Sequence, residues 1–219
     1  VNKVHMCVCV CVRAHARVFV RACICACVFQ LFVQITGGGT IDGQAPGPYW
    51  SQGYDPKRNY FIPKTWEGLG GGCVGEFRPK LVRFTDCDRV VLRNISLVNS
   101  PDWTMLFRRS QELLLEDLTV YGDSRWPNND GVDFESCTDV KIVSSWFDVG
   151  DDGIVFSSGN TNPQRVPFVP QPPPPTKNVI GRNLRIRSHS SAIKFEAIFA
   201  TNHSDISDVH FENVEIYNS

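Results

Sequence analysis

The chain has 219 residues, of which 42% are hydrophobic and 21% are charged, and its formal net charge is −1. This near-neutral balance gives no electrostatic reason to expect a nucleic acid or an anionic membrane as a partner. Residues that favour strands and turns are frequent, and no long apolar stripe has the period of a helix. We therefore predict an all-β protein.

Residues 1–34 differ in composition from the rest of the chain. They contain six of the nine cysteines, in a Cys-x-Cys alternation that lacks the paired spacing of zinc sites. The segment shows no compact apolar core followed by a cleavage site, so a signal peptide is not indicated. Its apolar runs are interrupted by Arg13, His15, Arg17 and Arg21, so none has the length that a membrane helix needs. We predict that residues 1–34 are a low-complexity segment outside the fold and that residues 35–219 form one partial β-helix domain.

An eight-residue pattern occurs five times after residue 88. Each copy starts with an aliphatic residue, ends with an apolar one and has a small polar residue at its fifth position. The copies are VVLRNISL from Val90, LLLEDLTV from Leu113, VKIVSSWF from Val140, VIGRNLRI from Val179 and VHFENVEI from Val209. Their starts are 23 to 39 residues apart, which is the length of one coil of a parallel β-helix. We predict this fold, with the fifth-position residues stacked at one bend.

A second strand follows the pattern in three coils: GVDFES from Gly131, GIVFSS from Gly153 and AIKFEA from Ala192. Strand alternation should turn the apolar pairs of these strands toward the core and place Asp133, Val155 and Lys194 on the opposite face. The longest interval contains the proline-rich stretch 163–175. Because proline has no N–H to donate to a ladder, we predict an inserted loop there.

Two adjacent carboxylates, Asp151 and Asp152, lie in the stretch VGDDGIVFSSG. Aligning the second strands superposes Asp130 on Asp152, so these side chains should be neighbours on adjacent rungs, roughly 4.8 Å apart. Close carboxylates raise one another's pKa, which can give a protonated acid beside an ionised base. Glycoside hydrolysis uses this pairing. A turn and a calcium site are the alternatives, although no calcium-loop spacing is present.

Three stretches, ITGGGTIDGQ (35–44), NNDGVDFESC (128–137) and VGDDGIVFSSGN (149–160), resemble in order the polygalacturonase family, glycoside hydrolase family 28. The resemblance is strongest to exo-acting members. It implies a right-handed parallel β-helix, here incomplete at its C-terminal end, that hydrolyses α-1,4-linked galacturonan in pectin with inversion. It also implies that Asp151 is the general acid and that Asp130 and Asp152 hold the attacking water.

Two further motifs of the family match less well. Ser188-His189-Ser190 stands where the family has Gly-His-Gly, and Ala192-Ile193-Lys194 lacks the arginine of the family's Arg-Ile-Lys, which grips the substrate carboxylate. Because galacturonan is a polyanion, its binding sites favour basic residues. We interpret His189 as a catalytic candidate and Lys194 as a substrate-binding candidate, with solvated surface residues as the alternative.

Two residues near the first acidic motif complete the predicted site. Asn128 is a candidate for substrate binding, and Trp126 is a candidate for stacking on a sugar ring, with packing at the rim as the alternative. We expect no cofactor and no metal. The resemblance implies a secreted, wall-acting protein, which we expect to be a monomer that binds pectic polysaccharide.

Two other functions remain open from the sequence. The altered His and Arg motifs favour an impaired β-helix that only binds wall polysaccharide. A calcium-dependent pectate lyase, or a relative active on rhamnogalacturonan, is the other alternative. The placement of the aspartates follows the hydrolase pattern and argues against a lyase.

Overall fold

The computed structural model describes residues 32–48, 50–63, 78–158, 174–196 and 204–217, and the backbone of 18–19 and 24–27. All regular secondary structure in these ranges is β, so the all-β prediction is confirmed, and no described helix could cross a membrane. The strands are β1 (Val18–Phe19), β2 (Ile24–Cys27), β3 (Phe32–Thr36), β4 (Thr40–Asp42), β5 (Ser51–Asp55), β6 (Tyr60–Pro63), β7 (Val82–Thr85), β8 (Arg89–Val98), β9 (Met105–Arg108), β10 (Gln111–Tyr121), β11 (Val132–Glu135), β12 (Thr138–Val143), β13 (Trp146–Val149), β14 (Ile154–Ser157), β15 (Thr176–Ser188), β16 (Ile193–Glu196) and β17 (Ile206–Ile216).

Two parallel sheets and one hairpin contain these strands. A six-stranded sheet has the order β16-β14-β11-β9-β7-β2, and a nine-stranded sheet joins β1, β3, β4, β8, β10, β12, β13, β15 and β17. The hairpin is the antiparallel pair of β5 and β6. Within each parallel sheet, a strand pairs with the equivalent strand of the next coil, as in β8 with β10 and β9 with β11. The predicted parallel β-helix is confirmed.

The recurring small polar residue lies at a bend inside each coil. At Asn94, for example, the part of β8 before the bend pairs with β3 and the part after it pairs with β4. The backbone is left-handed at every bend, a conformation that asparagine and aspartate tolerate better than most residues. The φ angles are 52° at Asn94, 53° at Asp117, 49° at Ser144, 55° at Asn183 and 54° at Asn213.

Side-chain hydrogen bonding between rungs also occurs at the bend. The Asn213 Nδ2 atom donates to Asn183 Oδ1 at 2.7 Å, so the predicted stacking is observed between these two coils.

Phenylalanine rings form a stack through the core behind the six-stranded sheet. Phe84, Phe107, Phe134 and Phe156 are fully buried, and the centroids of successive rings are 5.1 to 5.3 Å apart. Phe195 continues the stack at 5.6 Å and is 54% exposed, because β16 is the last strand described in its sheet. The predicted alternation is therefore correct, and the inward residues of β11 and β14 pair in register.

The proline-rich interval does not disturb the register of the coils around it. Val140 on β12 pairs with Val179 on β15, although 39 residues separate them. β14 ends at Ser157 and β15 begins at Thr176, whose Oγ1 atom donates to the Ser157 carbonyl oxygen at 2.6 Å. Residues 163–173 of the predicted loop lie outside the described ranges.

Three short stretches of the N-terminal segment pair with the two sheets. β1 pairs with β4, β2 with β7, and β3, which crosses the predicted boundary at residue 34, pairs with the first half of β8. The other residues of the segment lie outside the described ranges. The division of the chain at residue 34 therefore stays a prediction.

Candidate active site

Three carboxylates lie together where β11 and β14 begin. Asp130, Asp151 and Asp152 each have an oxygen within 4.8 Å of the others. The Gly131 N–H donates to the Asp152 carbonyl oxygen at 2.9 Å, which fixes the two loops on adjacent rungs. The neighbourhood of Asp130 and Asp152, predicted from the repeat register alone, is confirmed.

The three carboxylates have different surroundings. Asp130 is 6% exposed, and its Oδ1 atom is buried without a hydrogen-bond partner among the described residues. Asp152 is 4% exposed, and its two oxygens accept from the Ser191 N–H at 3.0 Å and from Lys194 Nζ at 2.8 Å. Asp151 is half-buried at the rim and accepts from the N–H groups of Asn128 and Asp152 at 3.2 and 3.0 Å.

These surroundings shift the pKa values of two carboxyls in opposite directions. Burial raises the pKa of Asp130 to about 8, and the charges of Asp151 and Asp152 add to the rise. Burial also opposes ionisation of Asp152, but hydrogen bonds from Lys194, Ser190 and Ser191 outweigh it and hold the pKa of Asp152 below its usual range. The free cluster therefore has a protonated carboxyl beside an ionised one at neutral pH, the division of labour that acid–base catalysis requires.

The raised pKa of Asp130 makes the stability of the folded protein depend on pH. Between the ordinary value of 3.8 and about 8, the folded protein retains a proton on Asp130 that the unfolded chain loses. The free energy of unfolding should therefore fall as the pH rises through this window. We expect Asp130→Asn to remove this contribution, so that the variant gains stability relative to the parent between about pH 5 and about pH 8.5.

Urea unfolding at about pH 5 and about pH 8.5 measures this change in the free energy of unfolding. The control variant is Asp205→Asn, because Asp205 is exposed. A stability difference between Asp130→Asn and the parent that stays constant across this range would contradict the expectation.

Asn129 holds the two acidic loops together. It is 1% exposed, its Nδ2 atom donates to the Asp123 carbonyl oxygen at 3.0 Å, and its Oδ1 atom accepts from the Gly150 N–H at 2.7 Å. A Cβ atom on Gly150 would lie 2.7 to 2.8 Å from Asn129 Oδ1 and from two carbonyl oxygens. Sequence reasoning did not single out Asn129 and missed this bridging role.

Trp126 does not lie where a sugar could stack on it. The indole is 1% exposed, and its Nε1 atom donates to the Pro101 carbonyl oxygen at 2.9 Å. The Arg78 guanidinium lies 5.3 Å from the ring centroid, and Phe61 of the hairpin packs against the ring at 6.2 Å. The assignment of Trp126 to substrate binding is therefore wrong, and the packing alternative is correct.

Two other predicted residues border the cluster. Asn128 is exposed, its N–H contacts Asp151, and its Oδ1 atom accepts from Arg78 Nη2 at 3.1 Å. The Lys194 ammonium lies 2.8 Å from Asp152 and 2.7 Å from Glu196, and its side chain is 38% exposed. Lys194 is thus a fixed, partly accessible cation beside the acids. The binding roles of both residues stay predictions.

His189 lies on a turn that is attached to the acidic loop. Ser188 Oγ donates to the Asp151 carbonyl oxygen at 2.7 Å, and the Ser190 N–H donates to Ser188 Oγ at 3.0 Å. The side chain of His189 is exposed on this turn. Its catalytic role stays a prediction.

Sequence reasoning missed a second group of charged residues on the two preceding rungs. Lys80 pairs with the buried Asp102, and its ammonium lies 4.1 Å from the centroid of the Trp103 ring. The charge of Asp102 contributes to the raised pKa of Asp130. Because β9 pairs with β11, Asp102 and Trp103 lie one rung before Asp130. Extending the coil alignment back to Met105 and Val82 would have found this group.

Asp133 is a further buried acid, which the sequence predicted only as a residue of the outer face. It is 2% exposed, and its Oδ2 atom has no hydrogen-bond partner in the described part of the chain. Burial raises the pKa of Asp133 well above its usual range, and the charge of Asp130 adds to the rise. Asp133 is therefore a buried carboxyl group that ionises less readily than an ordinary aspartate.

Residues 28–167 match the sequence model of the family described as "Glycosyl hydrolases family 28". A probable polygalacturonase of Vitis vinifera is 30% identical over 188 residues, 85% of this chain and 33% of the relative. An endo-polygalacturonase of Pectobacterium carotovorum subsp. carotovorum is 26% identical over 57% of this chain and 29% of its own length. The chain thus spans about a third of the length of these curated relatives.

Two solved structures are similar in fold. A hyperthermoactive exopolygalacturonase from Thermotoga maritima has a TM-score of 0.51 and 25% identity, over 64% of this chain and 31% of the neighbour. A family 28 exopolygalacturonase of Yersinia enterocolitica has a TM-score of 0.54 at 16% identity, over 84% of this chain and 40% of its own. The second likeness concerns the fold alone.

Proposed function

Because the chain belongs to family 28 of the glycosyl hydrolases, we propose that it hydrolyses the α-1,4-glycosidic bonds of galacturonan in pectin. The observation that carries the proposal is the cluster of Asp130, Asp151 and Asp152, whose oxygens lie within 4.8 Å of one another. The cluster contains both a protonated and an ionised carboxyl, and a partly accessible lysine borders it. Extracellular action on the cell wall, as a monomer, belongs to the same proposal.

In the proposed reaction, Asp151 donates a proton to the glycosidic oxygen as the bond from that oxygen to the anomeric carbon breaks. Asp130 and Asp152 orient a water molecule, which attacks the anomeric carbon and gives up its proton to the pair. One water is consumed for each bond, and the cluster regains the proton that it donated. Asp151 suits the first role because it is the most accessible of the three.

The proton must lie on Asp151 when the substrate is bound, whereas in the free protein the carboxyl that retains a proton at neutral pH is Asp130. A sugar placed over the rim would remove water from Asp151, and desolvation disfavours the charged form of a carboxyl. The short separation within the cluster would then let the proton pass from Asp130 to Asp151. The catalytic proton therefore belongs to the coupled cluster of three carboxyls and not to one aspartate alone.

The inverting course of the reaction is supported by the family resemblance rather than by spacing. Inverting glycosidases usually separate their two carboxyl groups by roughly 6.5–9.5 Å, and retaining enzymes by roughly 5–5.5 Å. The limit of 4.8 Å in this cluster applies to one oxygen from each carboxyl group, so it assigns the cluster to neither class. The anomeric configuration of the first product, observed by NMR before mutarotation, decides between the two courses.

Assays with polygalacturonate test the reaction class. We expect new reducing ends, no absorbance from unsaturated products, and the same rate with and without a calcium chelator. Unsaturated products that require calcium would contradict the proposal and establish a lyase. Binding of polygalacturonate with no product would support the impaired β-helix instead.

A further inference from the structure

The outer face of the six-stranded sheet continues from the acids toward the N-terminal coils. Arg83 pairs with Leu106, and Leu106 pairs with Asp133, so Arg83 lies two rungs from Asp133 in the same column. Val82 and Phe84 on either side of Arg83 are fully buried in the core. Because side chains alternate along a strand, Arg83 points outward, about 10 Å from the acidic rung.

Arg83 differs from its neighbouring arginines in its hydrogen bonding. Its Nε atom is buried without a hydrogen bond to any described residue. By contrast, Arg108 on the next rung pairs with Glu135. Arg109 pairs with Asp86 through its Nε and Nη2 atoms. A buried donor without an acceptor is unfavourable, so in a native structure it calls for a partner such as an ordered water or an ion. The rest of the residue is half-buried and therefore partly accessible.

A second unpaired polar group lies on the same strand and face. Thr85 is 7% exposed, and its Oγ1 atom is buried without a hydrogen bond in the part of the chain that the structure describes. Arg83 and Thr85 thus offer unpaired donors two residues apart on one strand. An anion with two oxygens is the ligand chemistry that such a pair fits.

An aromatic residue lies between Arg83 and the acids. The N–H of Thr104 donates to the Asp130 carbonyl oxygen at 2.8 Å, so Trp103 stands one rung before the acidic cluster. Trp103 is half-buried, with the Lys80 ammonium 4.1 Å from its ring centroid. A half-buried aromatic residue and a cation therefore lie between the cluster and Arg83.

We infer that Arg83, assisted by Thr85, binds the carboxylate of a galacturonate residue about two sugars away from the bond that is cleaved. This inference rests on the proposed function. The pectic chain would lie along the rungs, past Trp103, with a length per sugar comparable to the spacing of rungs. Lys194 lies two rungs from Asp133 on the other side, so the two cations would hold the polyanion on both sides of the acids.

Binding measurements with galacturonate oligomers of two to six residues test this inference. They use Asp151→Asn as the background, so that oligomers are not cleaved during titration. We expect Arg83→Ala to weaken binding of the longer oligomers about tenfold, the effect of one charge-assisted hydrogen-bonded pair. Binding of the dimer should be unchanged. Arg89→Ala is the control, because Arg89 is an exposed arginine paired with Glu112 on the other sheet.

Methyl-esterified oligomers sharpen the test, since their carboxyl groups carry no charge. With these oligomers, the difference in affinity between the Arg83→Ala variant and the background protein should disappear, whereas a merely structural role of Arg83 would leave it unchanged. Arg83→Gln provides a second variant that keeps much of the side-chain volume if Arg83→Ala does not fold.

The outcomes separate the inference from the proposed function. If the parent hydrolyses polygalacturonate but Arg83→Ala and Arg83→Gln bind every oligomer as Arg89→Ala does, the inference is overturned and the function stands. If the parent neither binds nor hydrolyses any galacturonate oligomer, both are overturned.

Discussion

Asp151→Asn is expected to reduce the turnover number for polygalacturonate by roughly 10²–10⁴-fold, because this is the contribution of general acid catalysis and an amide cannot supply the proton. The amide keeps the size of the carboxyl group and one of its two acceptor oxygens. It should therefore retain one of the contacts with the N–H groups of Asn128 and Asp152. The fold and the Michaelis constant should change little.

Reducing-end assays across pH, together with thermal unfolding, check this expectation. The parent should lose activity as the pH rises past about 8, where the free cluster loses the proton of Asp130. Asp205→Asn, at an exposed carboxylate, should behave as the parent. Turnover by Asp151→Asn within tenfold of the parent would mean that another group donates the proton.

Gly131→Ala is expected to destabilise the protein by about 2–4 kcal/mol. A Cβ atom there would lie 2.4 Å from the Gly153 carbonyl oxygen and 2.8 Å from Phe147 Cδ1. Neither neighbour can yield easily, because one is backbone on the adjacent rung and the other is a fully buried ring. Since Gly131 directly follows Asp130, the displacement would also separate the acidic loops.

Gly39→Ala is the matched control for this substitution. A Cβ atom at Gly39 meets nothing within 4 Å, and its φ lies outside the range that favours glycine. Urea unfolding should show a change within about 0.5 kcal/mol for Gly39→Ala, as for most open surface positions. Equal stabilities of the two variants would show that the rungs can move apart at Gly131 without loss.

The fold was predictable because each coil repeats one pattern and the repeat fixes the register. Alternation along GVDFES and GIVFSS placed Val132 opposite Ile154, and the same alignment brought Asp130 to Asp152 from the sequence alone. A period-two pattern and a recurring left-handed bend leave little freedom for another pairing. The prediction of the acidic cluster therefore depended only on local spacing.

The errors arose where the surroundings come from distant parts of the chain. Trp126 is buried because Phe61 of the hairpin and Arg78 cover it, and neither contact is visible in the repeat. Asp102 went unnoticed because the alignment was not carried back to β9. Asn129 was not singled out, because its role depends on two hydrogen bonds to other loops.

The hydrogen bond between Thr176 and Ser157 has a consequence for how this protein can change. Because this bond joins the end of β14 to the start of β15 and the coils on either side stay in register, the length of the intervening segment is decoupled from the stacking of the coils. Closing a loop twice as long adds only about 0.6 kcal/mol of entropic cost. New sequence can therefore accumulate here, whereas a single residue inserted within a coil would shift every side chain that follows on that strand.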